Sequence, residues 1–291
     1  MSEKLAYLAY LCGWKLVAHL PERIAYAIFS KISSRMYRRN GKSVRRLRVN
    51  FSIVSPHLDG VELENLVKRG LESYMRYWCD TFRIHTWSSD RIQSSVTTTN
   101  ENLLKDPMLQ GRGVIIALPH SGNWDHAGAY FCQQGIPLVT VAEILKPVKL
   151  FEKFLEYRQS MGFEVLALDS RAFPTLMRRT LEKRLIALVS DRDLSSSGIP
   201  VTFFSRETRM PAGPALLAIK TGVPLVAAHV SYTAVGIHID FETIEVAQEG
   251  GEQSRISETV QRMAHSFEAG IAKHPEDWHM LQRIWVEEGI Y

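Results

Sequence analysis

Residues Val114 to Asp125 read V-I-I-A-L-P-H-S-G-N-W-D, and this run narrows the possible folds more than any other part of the chain. It opens with a short apolar stretch rich in β-branched residues, the pattern of a strand buried on both faces. Pro119 ends that stretch, because a proline cannot donate to a sheet ladder. His120, Ser121, Gly122 and Asn123 favour a turn, and Trp124, Asp125, His126 and Ala127 enter a helical pattern. A buried strand, a tight polar turn and a helix start place His120 at the carboxyl end of a strand, where open α/β sheets bind ligands. The run is therefore the candidate active site.

Strand and helix patterns alternate downstream of it. Strands are expected over 137–142, 163–168, 185–190, 201–204 and 224–230, and helices over 125–134, 148–161, 172–181, 213–221 and 257–273. Residues 237–244 alternate like an edge or antiparallel strand. Upstream, residues 61–84 carry Leu63, Leu66, Val67, Leu71, Tyr74, Met75 and Trp78 at helical spacing, and the aromatic stripe Tyr74, Tyr77, Trp78 and Phe82 reads as core. A further strand is expected near Val96 within the polar, turn-rich stretch 85–110. There is no repeat and no low-complexity linker, which points to one α/β domain over residues 1–291 with a helical N-terminal part.

At 291 residues the chain can bury a substantial core, and 45% hydrophobic with 23% charged residues excludes wholesale disorder. Cys12, Cys79 and Cys132 are an odd number without C-x-x-C spacing, which argues against a disulfide framework or a zinc knuckle and fits a reducing compartment. No secretory signal is read, and no uninterrupted apolar run reaches the ~18–20 residues of a membrane-spanning helix.

Residues 4–33 read as amphipathic helix broken near Pro21. Leu5, Leu8, Leu11, Trp14 and Leu16 lie near one stripe, with Tyr7, Tyr10, Lys15 and His19 around it, and Ile24, Ile28, Phe29 and Ile32 continue an apolar face. Lys31, Arg35, Arg38, Arg39, Lys42, Arg45, Arg46 and Arg48 follow with no acidic residue among them. Aromatic amphipathic helix plus unbalanced positive charge is the composition of an interfacial anchor, so residues 1–48 are expected to meet an anionic membrane surface. Nucleic acid is the other partner for such a run, but no recognisable nucleic-acid motif accompanies it. The bland alternative is a core-packing helix followed by a solvated basic loop.

For chemistry, the chain has no G-x-S-x-G elbow, no G-x-x-x-x-G-K-[ST] and no H-E-x-x-H. What remains is His120-x-x-x-x-Asp125. A general base near neutral pH must be an imidazole held in one tautomer, and a carboxylate on its other nitrogen does that while stabilising the imidazolium. The helix start adds backbone N–H groups able to face a developing oxyanion. Ser121 as nucleophile lacks the elbow context. Asp191-Arg192-Asp193 offers the D-x-D spacing of a metal-dependent glycosyltransferase, and a non-enzymatic lipid-binding protein would account for the N-terminus but not for the histidine turn.

Leu118-Pro119-His120-Ser121-Gly122-Asn123-Trp124-Asp125 resembles the first motif block of the bacterial lipid A biosynthesis acyltransferase family, with its H-x4-[DE] core. The resemblance recurs at Glu156-Tyr157-Arg158, Ser190-Asp191-Arg192-Asp193, Phe203-Phe204 through Arg209-Met210-Pro211-Ala212-Gly213-Pro214-Ala215, and Asp277-Trp278-His279-Met280-Leu281-Gln282. Val141-Ala142-Glu143, the R-M-P-A-G-P-A stretch and the D-W-H-M-L-Q tail are most similar to the actinobacterial phosphatidylinositol mannoside acyltransferases. The resemblance implies a mostly parallel central sheet flanked by helices, as in glycerolipid acyltransferases. It also implies transfer of a long acyl group, typically palmitoyl, from acyl-CoA to a mannose hydroxyl of a phosphatidylinositol mannoside on the cytoplasmic leaflet, with no metal and no resident cofactor. A lipid A precursor is the alternative acceptor. His120 and Asp125 then take the catalytic pair, while Glu143, Arg158, Asp191 and Arg192 surround the substrates. Which of Glu143, Asp191 and Asp125 touches the histidine stays open, and Arg158, Arg192 or the basic run are the candidate phosphate partners. Asp191 stands where the subgroup tends to carry Glu, and Phe203-Phe204-Ser205 departs from the usual Phe-Phe-Gly.

Overall fold

The computed structural model describes residues 13–144, 148–193, 197–287 and 289–291. Leu5, Tyr7, Leu8, Tyr10 and Leu11 of the expected amphipathic stripe lie outside these. Residues 13–19 are helical, the helix breaks at Leu20-Pro21, and α1 (Glu22–Arg39), α2 (Lys42–Val54) and α3 (Gly60–Arg83) follow. Then come α4 (Ser89–Ser94), β1 (Val96–Thr99), α5 (Asn102–Leu109) and β2 (Val114–Leu118). The alternating region runs α6 (Trp124–Gln133), β3 (Leu138–Ala142), α7 (Val148–Ser160), β4 (Glu164–Ala167), α8 (Ala172–Leu181) and β5 (Leu185–Val189). A hairpin of β6 (Ile199–Phe203) and β7 (Arg206–Met210) precedes α9 (Gly213–Thr221), β8 (Leu225–Tyr232), β9 (Ile237–Thr243) and α10 (Glu252–Lys273).

Seven strands form one sheet in the order β1-β9-β8-β2-β5-β3-β4, parallel except for the β8–β9 pair. All five residues of β2 are buried, as a central strand covered on both faces must be. Successive side chains point to opposite faces. Ile115 and Ala117 accordingly join a core with Leu47, Phe51, Phe203, Phe267 and Trp278. Val114, Ile116 and Leu118 join another with Phe131, Phe163 and Phe241. The helices are what fill these two layers.

The structure corrects the sequence reading in several places. The basic run, expected to end at Arg48 without a fold of its own, continues into a helix: Lys42–Val54 form α2, which buries Val44, Leu47, Asn50, Phe51 and Val54. β9 is antiparallel to β8 but not an edge, because β1 pairs along its other side. β7 was not expected, since Arg206, Glu207 and Arg209 hide its two buried residues, Thr208 and Met210. The turn joining it to β6 has φ 47° at Phe204 and 59° at Ser205. Two left-handed central residues make a hairpin turn that favours glycine, which is the physical reason the Phe-Phe-Gly pattern of the resemblance would suit this place better than Ser205. Phe204 holds its position by packing on Phe203 and Trp278, with centroids 4.7 and 6.4 Å away.

The N-terminal apolar face is also divided. Trp14 is buried, packed on Phe82, Phe154 and Tyr157 with centroids 5.2–5.3 Å away. Ala25 and Phe29 of α1 turn inward to Met75 and Cys79 of α3. Leu16, Ile24, Ile28 and Ile32 remain exposed.

Candidate active site

β2 and β5 are parallel neighbours, with Leu118 opposite Val189. The ladder is extended once by the Ser190 N–H donating to Leu118 O at 2.8 Å. His120 and Asp191, two residues beyond those register partners, therefore leave the sheet side by side. Asp191 is fully buried and accepts from His120 through both oxygens: Nδ1–H at 2.5 Å on Oδ1, and the backbone N–H at 3.0 Å on Oδ2. The Trp278 indole N–H adds a bond of 2.9 Å to Oδ2. Burial by itself would raise this carboxyl, but the charge of His120 and these hydrogen bonds hold it below the ordinary carboxylate value. An ionised carboxylate only accepts, so Nδ1 carries the imidazole proton and Nε2 is the nitrogen left for a substrate.

The C-terminal segment laces this turn in place. His279 N–H donates to His120 O at 2.8 Å, and Gly122 N–H to Asp277 O at 2.9 Å. Gly122 has φ 58°, and a Cβ there would come within 2.6 Å of Val230 O, so both conformation and space demand glycine. Asp277 accepts from Ser73 Oγ–H at 2.6 Å and from Tyr232 N–H at 2.7 Å. Ser73 Oγ in turn meets His279 Nε2 at 3.0 Å, which makes Nε2 the protonated nitrogen of His279. Burial, reinforced by the charge of His120, pushes His279 down to about 3, so it is a neutral wall residue.

Asp125 does not pair with His120. The turn at Gly122 and the helix entry at Asn123, whose Oδ1 caps the His126 N–H at 2.9 Å, bring Trp124 beside the histidine ring at 5.6 Å. Asp125 instead holds Arg158 at 2.9 and 3.3 Å and accepts from Tyr77 Oη at 3.2 Å. Burial would weaken the charge on Arg158, but Asp125 more than restores it. Tyr77 stacks on Trp124 at 4.3 Å, so the ion pair braces the aromatic wall beside His120. This also corrects two other readings: the Tyr74–Tyr77 stripe is part of the site's wall as well as core, and Arg158 is committed to Asp125 and not free for a phosphate.

Glu143 is exposed at the end of β3, on the same edge of the sheet but without a hydrogen bond or ion pair to His120. Arg192 is half-buried and lies close enough to Tyr74 to act on its phenol electrostatically. Both oxygens of Asp191 are occupied by His120 and Trp278, so the D-x-D does not present its first carboxylate to a metal. No cluster of three or more metal-type ligands occurs among the described residues. From sequence, Tyr77 reads as core, and Trp124, Trp278 and His279 have no role of their own assigned. Only the proximity of Trp124 to His120 and the D-W-H-M-L-Q run hinted at them.

Comparison with known proteins adds a second line. The family described as bacterial lipid A biosynthesis acyltransferase matches residues 2–287. A phosphatidylinositol mannoside acyltransferase of Mycolicibacterium smegmatis (strain ATCC 700084 / mc(2)155) is 39% identical over 284 residues, covering 97% of this chain and 91% of that protein. One of Mycobacterium tuberculosis (strain ATCC 25618 / H37Rv) is 36% identical over 285 residues, covering 96% and 88%.

The two carboxylates are expected to fail differently. Asp191→Asn should lower turnover by roughly 10²–10⁴ through loss of the imidazole tautomer, with a small change in stability. Asp125→Asn should cost about 3 kcal/mol of stability, because it strands the Arg158 charge. Urea unfolding and steady-state rates on both variants check this, and the opposite pattern would refute it.

Proposed function

The chain belongs to the bacterial lipid A biosynthesis acyltransferase family and is an O-acyltransferase, and from that premise we propose that it moves a palmitoyl chain from coenzyme A to a mannose hydroxyl of a phosphatidylinositol mannoside at the cytoplasmic face of the membrane. The observation that carries the chemistry is the His120–Asp191 pair, which engages Nδ1 and leaves Nε2 as the nitrogen available to a substrate at the carboxyl edge of the sheet. Nε2 takes the proton of the sugar hydroxyl as its oxygen attacks the thioester carbonyl. The C–S bond then breaks, and the imidazolium returns its proton to the leaving thiolate, giving the ester and free coenzyme A. Asp191 stays ionised and stabilises the imidazolium in between. The N-terminus of α6, beside His120, supplies a partial positive charge for the developing oxyanion. Neither a covalent enzyme intermediate nor a metal enters this sequence of steps.

The membrane part of the reading rests on α1. Ile24, Ile28 and Ile32 recur every four residues and are 50%, 40% and 41% exposed, forming one stripe. Arg35 and Arg39 fall seven residues beyond Ile28 and Ile32, nearly two turns, so the same side of the helix carries charge; Lys31 borders it, and all three are exposed. Exposed isoleucines among cations suit an anionic interface, where each basic residue is worth about 1 kcal/mol. No described helix is long and apolar enough to cross a membrane.

Thiol release from palmitoyl-CoA, with and without a phosphatidylinositol mannoside, tests the reaction. Release should depend on the acceptor and fall roughly 10²–10⁴-fold in His120→Ala. A variant keeping more than about a third of the rate would rule out His120 as the base, and release indifferent to the acceptor would rule out that acceptor. For the membrane, the triple change Ile24→Ser, Ile28→Ser, Ile32→Ser is preferable to truncation, since α2 is core. It should reduce sedimentation with anionic liposomes, and unchanged sedimentation would refute the interface.

A further inference from the structure

The basic run does not act as a unit. Arg45 donates to Asn40 O, Arg38 to Ser34 O, and Arg48 is paired with Glu64. Lys31, Arg35 and Arg39 share the outer side of α1. Arg46 is different: it lines a cavity of about 510 Å³ together with Arg283 from the C-terminal segment. Ser43, Tyr74 and Gln282 complete the polar lining, while Met36 and Leu281 supply apolar surface.

No carboxylate lines this cavity, and neither guanidinium forms an ion pair among the described residues. Arg283 lies over the Tyr291 ring at 5.2 Å, a contact that orients its plane but uses none of its in-plane donors. Two arginines with their forks unspent, next to hydroxyl and amide donors, present several donors and no counter-charge. Such a donor set matches the oxygens of a phosphate. The apolar patch suits an organic group attached to it.

Three successive ring contacts link the cavity to His120. Tyr74, part of its wall, packs on His279 at 5.6 Å; His279 lies 6.2 Å from Trp124, which lies 5.6 Å from His120. Arg192, immediately after Asp191, also faces Tyr74 closely enough to act on it. We propose that Arg46 and Arg283 form a binding site for the phosphate of an organic substrate, linked to His120 through Tyr74, His279 and Trp124. The inference rests on the acyl-transfer reading, in which two substrates carry phosphate: the thioester donor on its nucleotide end and the lipid acceptor on its phosphodiester.

The test uses the full chain carrying Arg46→Gln and Arg283→Gln. Titration calorimetry with coenzyme A is run beside KM measurements for palmitoyl-CoA, palmitoyl-pantetheine and phosphatidylinositol mannoside. Loss of one charge-assisted hydrogen bond corresponds to weakening on the order of tenfold. Weaker coenzyme A binding and a raised KM for palmitoyl-CoA, with palmitoyl-pantetheine unmoved, would assign the site to the donor's phosphates. A raised KM for the mannoside alone would assign it to the lipid phosphate. If none of these values moves, the proposal is wrong. Should the wild type bind coenzyme A more tightly than the variant yet fail to acylate the mannoside, the phosphate site stands and the acceptor assignment falls.

Discussion

One buried carboxylate organises the site. Removing Asp191 from water costs several kcal/mol, and only full hydrogen-bonding recovers that cost. Its three donors come from the end of β2 and from the C-terminal segment: the ring and backbone of His120, and the indole of Trp278. Each donor must therefore be held in register with the others. The parallel pairing of β2 with β5 fixes the first two, and the hydrogen bonds from His279 and Gly122 fix the third. Loosening either the sheet edge or the C-terminal lacing would be felt at the imidazole.

The rest of the structure distributes polar groups around that anchor according to how much water each one keeps. Asp125 and Arg158, both largely buried, neutralise each other and brace the Tyr77–Trp124 stack. His279 is kept uncharged by burial. The exposed cations of α1 stay on the surface among isoleucines, whereas Arg46 and Arg283 share a cavity without a counter-charge. Cations that are adjacent in sequence are thus separated in space: those of α1 stay at the surface, and Arg46 turns to a cavity it shares with Arg283.

Much of this was legible in the residues. The β-branched run before Pro119 announced a buried strand, and the alternation after it announced an α/β domain, because periodicity reports burial directly; the mostly parallel sheet came from the family resemblance. His120 was identifiable from its place at a strand's end. Its partner was not: five residues of spacing suggested Asp125, but the pairing depends on which strand lies beside β2, a long-range fact that spacing does not encode. The same reason hid Trp278, more than 150 residues from the histidine turn. β7 escaped because Arg206, Glu207 and Arg209 mask its inward residues, and α2 because its charges outweigh its buried face to the eye. The apolar face of α1 was visible, but not its division into inward Ala25 and Phe29 and outward isoleucines, which depends on where α3 packs.

The central claim is that Asp191 fixes His120 as the Nδ1–H tautomer, leaving Nε2 as base. Nitrogen NMR of ¹⁵N-histidine-labelled protein, with His120 assigned by comparison with His120→Ala, reads the tautomer directly at a pH where the ring is neutral. The account predicts protonated Nδ1 and bare Nε2 in the wild type, with that preference lost in Asp191→Asn. A neutral His120 protonated on Nε2 in the wild type would contradict it.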